Sequence, residues 1–410
     1  MGMTHLSPEE QRLLDHAAAA PMLDQVQRWA AINSGSRNLP GLAQMASLLA
    51  DAFSVLPGDL LLVDPAPVEN VTPEGRVQPL AHGQHLLLSV RPDAPRRLLL
   101  TGHMDTVFPA DHSFQTQRWL EPGVLNGPGV ADMKGGLAVM LAALAAMEAC
   151  DASDAWGYDV VINSDEEVGS ASSAALLRAR AAGKIAAFTY EPALPDGTLA
   201  GARAGSGNFS IIVAGRSAHA GRNPEEGRNA LLAAADLALR LKAASGAGFS
   251  CNPAKIDGGG PNNVVPDHAV LRVNFRPRTP ADEQAARALI DGAMADVARD
   301  HDVSLHLHGG FGRPPKPMDA KAERLFDLVR QCGADLGLPI GWRDTGGVCD
   351  GNNIAACGVP VVDTMGVRGG SIHSDAEFLL TDSLAERARL SALALWRIAR
   401  GQFQPGQERG

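Results

Sequence analysis

The chain reads as an α/β protein: a mixed, mostly parallel β-sheet flanked by helices, with a smaller α+β unit carrying an antiparallel sheet inserted into it. Three observations predict this. Residues 98–100 and 160–162 are short, continuous apolar runs, as expected of strands buried on both faces. Between them Leu137, Met140, Leu141, Leu144 and Met147 recur at helical spacing and mark one apolar face. Residues 269–276 instead alternate, with Ala269, Leu271, Val273 and Phe275 on one side and Val270, Arg272, Asn274 and Arg276 on the other. That is the pattern of an antiparallel strand with one face solvated.

Taken in order, the polar N-terminal segment looks helical, and apolar residues at helical spacing follow over 21–31 and 41–53. Strand-like runs come at 60–63 and 86–90, then the buried run at 98–100, which ends in Thr101-Gly102-His103-Met104-Asp105. A glycine-rich loop at 126–132 precedes the amphipathic helix, and the strand at 160–162 runs into Asp165-Glu166-Glu167. Strand, helix, strand in this order predicts a sheet with helices outside. In such sheets chemistry gathers at the carboxyl ends of the strands, where His103 and the acidic run both fall.

The style changes near residue 203. A strand at 208–213, a helix at 228–244, the strand at 269–276, a helix at 281–300 and a strand through Val303, Leu305 and Leu307 make an α+β unit of roughly 110 residues, an ordinary domain size. The proline-rich break at 313–317 closes it, after which a helix at 320–336 and a strand at 359–362 resume the first style. The expected organisation is therefore one domain over 1–202 and 315–410, with 203–314 inserted. The tail 402–410 is expected to fray.

Composition narrows the function. Aromatic residues are only 4% of the chain, so the core must be built mainly from aliphatic side chains. A net charge of −10 argues against nucleic acid or an anionic membrane as partner, because both require a basic footprint. Five widely spaced cysteines without a C-x-x-C pair predict free thiols and a reducing, cytoplasmic setting. The N-terminus lacks a signal-peptide pattern, and no apolar run approaches the ~18 residues that span a bilayer.

Five short features carry the chemistry. His103 with Asp105 two residues on is a histidine whose second N–H a carboxylate can accept, fixing its tautomer. Asp132 stands at a helix start, where it is either a helix cap or a ligand. Asp165-Glu166-Glu167 would repel one another unless a cation or solvent separates them. Glu191 follows an apolar stretch, and His373 lies in Ser371-Ile372-His373-Ser374-Asp375-Ala376-Glu377. Each alone is weak, but together the ligand count closes. Two divalent cations balance Asp132, Glu167, Glu191 and a bridging hydroxide, with His103 and His373 as neutral ligands. One ion takes His103, Glu191 and one oxygen of Asp132; the other takes His373, Glu167 and the second oxygen, the open arrangement of catalytic zinc. Imidazole with carboxylate suits zinc, cobalt or manganese. Glu166 is then the spare acid. In an extended chain it points away from Glu167 and towards the attacking water as general base. His306 and His308 belong to the exposed face of a strand. The absence of a G-x-S-x-G elbow argues against a serine hydrolase, and Cys349 has no feature that would activate a thiol.

The motifs GHMDTVF, NGPGVADMKGG, SDEEVGS, YEPA, GRSAHAG, NNVVPDHA, GGVCDGN, GVPVVDTMG and IHSDAEF resemble, in order and over most of the chain, the two-zinc family of acetylornithine deacetylase, succinyl-diaminopimelate desuccinylase, aminoacylase and bacterial glutamate carboxypeptidase. The resemblance implies the roles above, with Asp105 supporting His103, and makes the inserted unit a lid through which a homodimer forms. It further implies that His219 reaches the partner's site to stabilise an oxyanion, that Asn263 and Arg276 hold the substrate's carboxylate, and that the Gly346-Gly347 turn brings N–H groups near the substrate. An arginine on the polar face of its strand suits that carboxylate independently. Val348-Cys349 departs from the Thr-Ser pair that relatives often show. The expected function is hydrolysis of an amide or peptide bond beside a carboxylate-bearing amino acid in an N-acyl amino acid or short peptide. A carboxypeptidase, glutamate-releasing or otherwise, is favoured by Glu191; an N-acyl amino-acid deacylase and a metal-binding protein without catalysis are the alternatives.

Overall fold

The computed structural model describes residues 6–406. The first five residues of the N-terminal segment and the last four of the tail lie outside that range. Short of it, Phe403 is buried against the core, so the tail is pinned at least that far.

Six strands form the central sheet in the order Asp59–Val63, His85–Val90, Trp156–Asn163, Arg96–His103, Ala186–Thr189, Val361–Val362. Only His85–Val90 runs against its neighbours; the other pairings are parallel. The parallel strands therefore end along one edge, where His103 lies opposite Asn163 and Thr101 opposite Thr189. Chain segments far apart in sequence leave the sheet side by side at that edge.

The helix Gly136–Cys150 is buried on nearly every side and packs against Pro8–Ala18 and Asp382–Ala399. With the turn before it, Val130–Cys150 is long and apolar enough to cross a membrane, contrary to the sequence expectation. Its apolar window is 94% buried inside the protein, which marks a core helix. All five cysteines are free.

The inserted segment holds a second, wholly antiparallel sheet in the order Phe249–Gly258, His268–Pro277, Ser206–Ala214, Ser304–Arg313. Helices Ala230–Ala243 and Pro280–His301 cover one face, burying Ile211, Val213, Leu271 and Phe275 among Leu237, Leu241 and Ile290. The polar face, with Ser210, Asn274 and Arg276, lines a cleft of about 740 Å³ whose opposite wall includes Glu167 and Ser170. Alternation along the lid strands thus supplies a greasy side for the helices and a polar side for the cleft.

A four-stranded sheet of short strands, Gly369–Gly370, Phe378–Leu380, Val124–Asn126 and Arg118–Glu121, brings the glycine-rich loop beside the segment that carries His373.

Candidate metal centre

Two donor groups meet at the sheet edge: His103, Asp132 and Glu191, and Asp132, Glu167 and His373. Within each, the ligand atoms lie within 4.8 Å of one another. Asp132 belongs to both. Its Oδ1 is 3.1 Å from His103 Nε2 and its Oδ2 is 3.2 Å from His373 Nε2. Glu191 Oε2 lies 3.7 Å from His103 Nε2, and Glu167 Oε2 lies 3.2 Å from His373 Nε2.

Local structure explains each placement; it decides between the two readings of Asp132 and differs from the sequence reading in two respects. Asp132 is not a helix cap. It sits in an irregular turn with non-helical backbone (φ −113°, ψ 89°), and Gly135 caps the helix instead. The turn is held by Glu377, whose buried carboxylate accepts the N–H groups of Gly129, Ala131 and Asp132 at 3.0–3.1 Å. Those bonds fix the turn from which the Asp132 carboxylate reaches His103 and His373.

The first difference concerns Asp105. His103 Nδ1 meets the backbone carbonyl of Asp105 at 2.9 Å, while that residue's carboxylate is 3.5 Å away. A carbonyl only accepts, so the proton is on Nδ1 and Nε2 is free to bind a cation. The Asp105 carboxylate instead accepts Glu166 N and Glu167 N at 3.1 and 3.2 Å and Ser36 Oγ at 2.7 Å.

That grip produces the second difference. Residues Glu166–Val168 form a single 3-10 turn, not extended chain. The turn still separates the two glutamates, sending Glu167 to His373 and Glu166 towards Arg313, whose Nη2 is 2.7 Å from Glu166 Oε1. Asp165 turns the other way and accepts Ser172 N, Ser172 Oγ and Ser173 Oγ. The three neighbouring acids thus have three different partners.

The residues fit a pair of cations. Glu191 Oε1 is buried without a hydrogen-bond partner among the described residues, a cost that a bound cation would remove. Burial, with Asp132 nearby, pushes Glu167 up to about 8. Burial, only partly offset by Arg313, pushes Glu166 up to about 7. Burial works against a charged His103, but the surrounding carboxylates outweigh it and hold the imidazole well above its usual range. A buried cluster of acids that holds protons this tightly lacks positive charge, which is what divalent ions supply. His373 is half exposed and has left-handed backbone (φ 63°), an unusual conformation for a non-glycine residue.

The remaining sequence candidates lie elsewhere. Arg276 lines the cleft, half-buried, with Asn274 Oδ1 bonded to its Nε and no carboxylate partner among the described residues. His219 and Asn263 are exposed on the lid, on neighbouring turns joined by the bond from Ala220 N to Asn263 O, and neither belongs to the two donor groups. Gly347 N donates to Thr345 Oγ1 and its carbonyl accepts from Arg203, so this N–H is taken within its own turn. His308 also lines the cleft, whereas His306 faces solvent. Burial holds the Cys349 thiol well above its ordinary range, opposite to an activated nucleophile.

Sequence reasoning missed the roles of Glu377, Arg313 and Arg203. Glu377 was within reach, since it falls four residues after His373 in the same motif. Arg203 binds Asp363 through Nε and Nη2 at 2.7 and 3.2 Å, and Lys316 Nζ is 3.1 Å from the same carboxylate. Both cations lie where the chain enters and leaves the inserted unit, and no local pattern announces them.

Comparison with known proteins gives the family. A sequence profile described as Peptidase family M20/M25/M40 matches residues 99–397. Carboxypeptidase G2 of Pseudomonas sp. strain RS-16 is 29% identical over 334 residues, covering 79% of each chain. Succinyl-diaminopimelate desuccinylase of Xanthomonas oryzae pv. oryzae is 30% identical over 296 residues, covering 67% of this chain and 77% of that one. Among solved structures, a tripeptidase from Staphylococcus aureus superposes with a TM-score of 0.71 at 23% identity, covering 97% of this chain and 100% of that one. An M20-family peptidase from Bacillus subtilis described as binding a dinuclear metal superposes at 0.62 and 14% identity, covering 92% and 97%. The chain is thus a hydrolase of peptide or acyl-amino-acid bonds that belongs to peptidase family M20/M25/M40.

Proposed function

We propose that this protein is a zinc-dependent carboxypeptidase that removes a C-terminal, carboxylate-bearing amino acid, glutamate being one candidate, with Glu166 as general base. The reading rests above all on the shared carboxylate of Asp132, which faces two imidazoles with its two oxygens while a further buried acid stands beside the pair. His103, Glu191 and Asp132 would hold one ion, and His373, Glu167 and Asp132 the other. Zinc there supplies Lewis acidity and lowers the pKa of water to roughly 7; cobalt or manganese would serve the same ligands.

The chain's own groups do the rest. Arg276 grips the substrate's terminal carboxylate from the lid wall of the cleft, as a guanidinium without a carboxylate partner among the described residues can. That fixes which amide bond lies over the sheet edge. Glu166 takes the proton of the attacking water and passes it to the departing amine. Its raised affinity for a proton suits both transfers near neutral pH. Likeness to carboxypeptidase G2 over most of both chains favours the carboxypeptidase. A second reading, an N-acyl amino-acid deacylase, is favoured by the comparable likeness to succinyl-diaminopimelate desuccinylase.

The test is release of free amino acid from matched panels of C-terminal dipeptides and N-acyl amino acids, with zinc or cobalt bound. Turnover on the former, and its loss in Glu166→Gln with metal content intact, is the expected result. Glu166→Gln retaining the rate would remove the base assignment, and turnover of acyl amino acids alone would select the deacylase.

The exposure of His219 and Asn263 supports a homodimer in which the lid of one subunit completes the site of the other. Mixing inactive His219→Ala and Glu166→Gln subunits under exchange should then restore activity, because a mixed dimer holds one intact site. No recovery, with exchange verified, would count against sharing.

A further inference from the structure

Arg313 is the last residue of the lid strand Ser304–Arg313, and its side chain leaves the lid. Its Nη2 reaches the catalytic sheet edge, where it donates to the Glu166 carbonyl and to Ser170 Oγ, both at 2.8 Å, and lies 2.7 Å from Glu166 Oε1. Asp350 Oδ1 is 3.6 Å away and accepts Ser170 Oγ at 2.5 Å. Arg313 is 6% exposed, so these contacts are made with little competition from water. Around them the helix Asp350–Ala355 ties down the backbone where the chain enters and leaves the lid. Asn352 Nδ2 donates to Ala204 O and Pro314 O at 2.9 and 2.8 Å, and Asn353 Nδ2 donates to Gly312 O at 3.3 Å. Arg313 is therefore a lid residue held rigidly at its root, and one of its nitrogens touches both the backbone and the carboxylate of a single acid.

From this geometry we infer that Arg313 is a positioning residue for Glu166, fixing the direction of its carboxylate and tying that direction to the seating of the lid. A side chain with several torsions, such as glutamate, samples many rotamers unless something holds it. The bond to its own carbonyl and the contact with its carboxylate restrain both ends of the side chain at once. A lysine supplies the charge, but on a flexible stem ending in a compact ammonium rather than a planar guanidinium, so it holds the carboxylate's direction less firmly. The lid would thus act on chemistry through one guanidinium as well as by covering the cleft.

The inference rests on the reading of Glu166 as the general base, and the test keeps the two apart. Arg313→Lys and Arg313→Met are made in the wild-type protein and in a Glu166→Asp background that retains a measurable rate. Misplacing a catalytic group by about an ångström costs on the order of 100-fold. The expected result is a 10- to 100-fold fall in kcat for Arg313→Met, with a smaller fall for Arg313→Lys and with KM and metal content changed less than threefold. In the Glu166→Asp background the same substitutions should cost several-fold less, because the carboxylate they orient is already withdrawn. An equal fall in both backgrounds, or a change confined to KM, overturns the positioning role. Should Arg313→Met fail to fold, Arg313→Lys carries the same comparison between backgrounds. If Glu166→Gln keeps full activity, the base assignment fails first, and separately.

Discussion

At the scale of single residues, Glu377 shows how much of the site depends on groups that touch no substrate. Its carboxylate holds the N–H groups of Gly129, Ala131 and Asp132 and so decides where Asp132 points. Burial, with the charge of Asp132 nearby, pushes Glu377 up to about 7. Replacing it by glutamine turns an amide N–H₂ towards N–H donors and removes the charge they favour. Groups that orient a metal ligand typically cost 10–100-fold in affinity when lost. Glu377→Gln should weaken zinc binding by about that factor in a competition titration while leaving the far-UV circular dichroism unchanged. Wild-type affinity in the variant would show that the loop holds Asp132 without it. The same logic explains why Asp165 and Asp105, which resemble ligands by residue type, face backbone and serine donors instead.

At the scale of elements, the sequence revealed most where burial was one-sided or complete. The alternation through Leu271, Val273 and Phe275 placed the lid strand because helices cover one of its faces and the cleft the other. Arg96–His103 and Trp156–Asn163 were legible because both faces are covered. The lid strand Phe249–Gly258 was not, because it is an edge strand, largely exposed and carrying Pro253, so no period marks it. The helix Asp382–Ala399 was hidden for the opposite reason. It is buried nearly all round, and Arg387 and Arg397 lie inside, the latter bound to Glu10 and Asp335, so its pattern shows no polar face. The donor residues could be proposed from type and order, whereas the 3-10 turn at Glu166–Val168 could not, since a side chain sixty residues away dictates it. Close packing at the site also escapes inspection. A Cβ on Gly136 would lie 2.0 Å from Tyr190 O, so only glycine lets the core helix approach the strand end that carries Glu191.

At the scale of the whole molecule, assembling the site from several segments concentrates acids whose ionisation opposes folding when no cation is present. Glu167 is pushed up to about 8, and Glu166, Glu377 and Asp350 to about 7, burial being the main cause in each. In the unfolded chain such carboxyls ionise near pH 4. A group whose pKa is raised on folding contributes stability that is present below its unfolded value and lost as pH rises through its folded one. His103 and His373 work in the same direction. His373 is raised to about 11, chiefly by Asp132 and Glu167, so folded protein keeps a proton that unfolded protein sheds near pH 6.5. Asp132 and Asp363 are shifted downward, and their stabilising effect is lost only in acid, well below this window. Between about pH 6.5 and 8 these groups all lower the stability of the metal-free protein as pH rises. Zinc reverses the trend, because its ligands must be deprotonated to bind and it replaces the missing positive charge. Thermal melts of chelated protein should therefore show Tm falling from pH 6.5 to 8, and the Tm increment on adding zinc should widen across the same interval. A chelated Tm that stays level or climbs would mean that the acids at the sheet edge are not held against their own repulsion, and with it the electrostatic argument for two cations would fail.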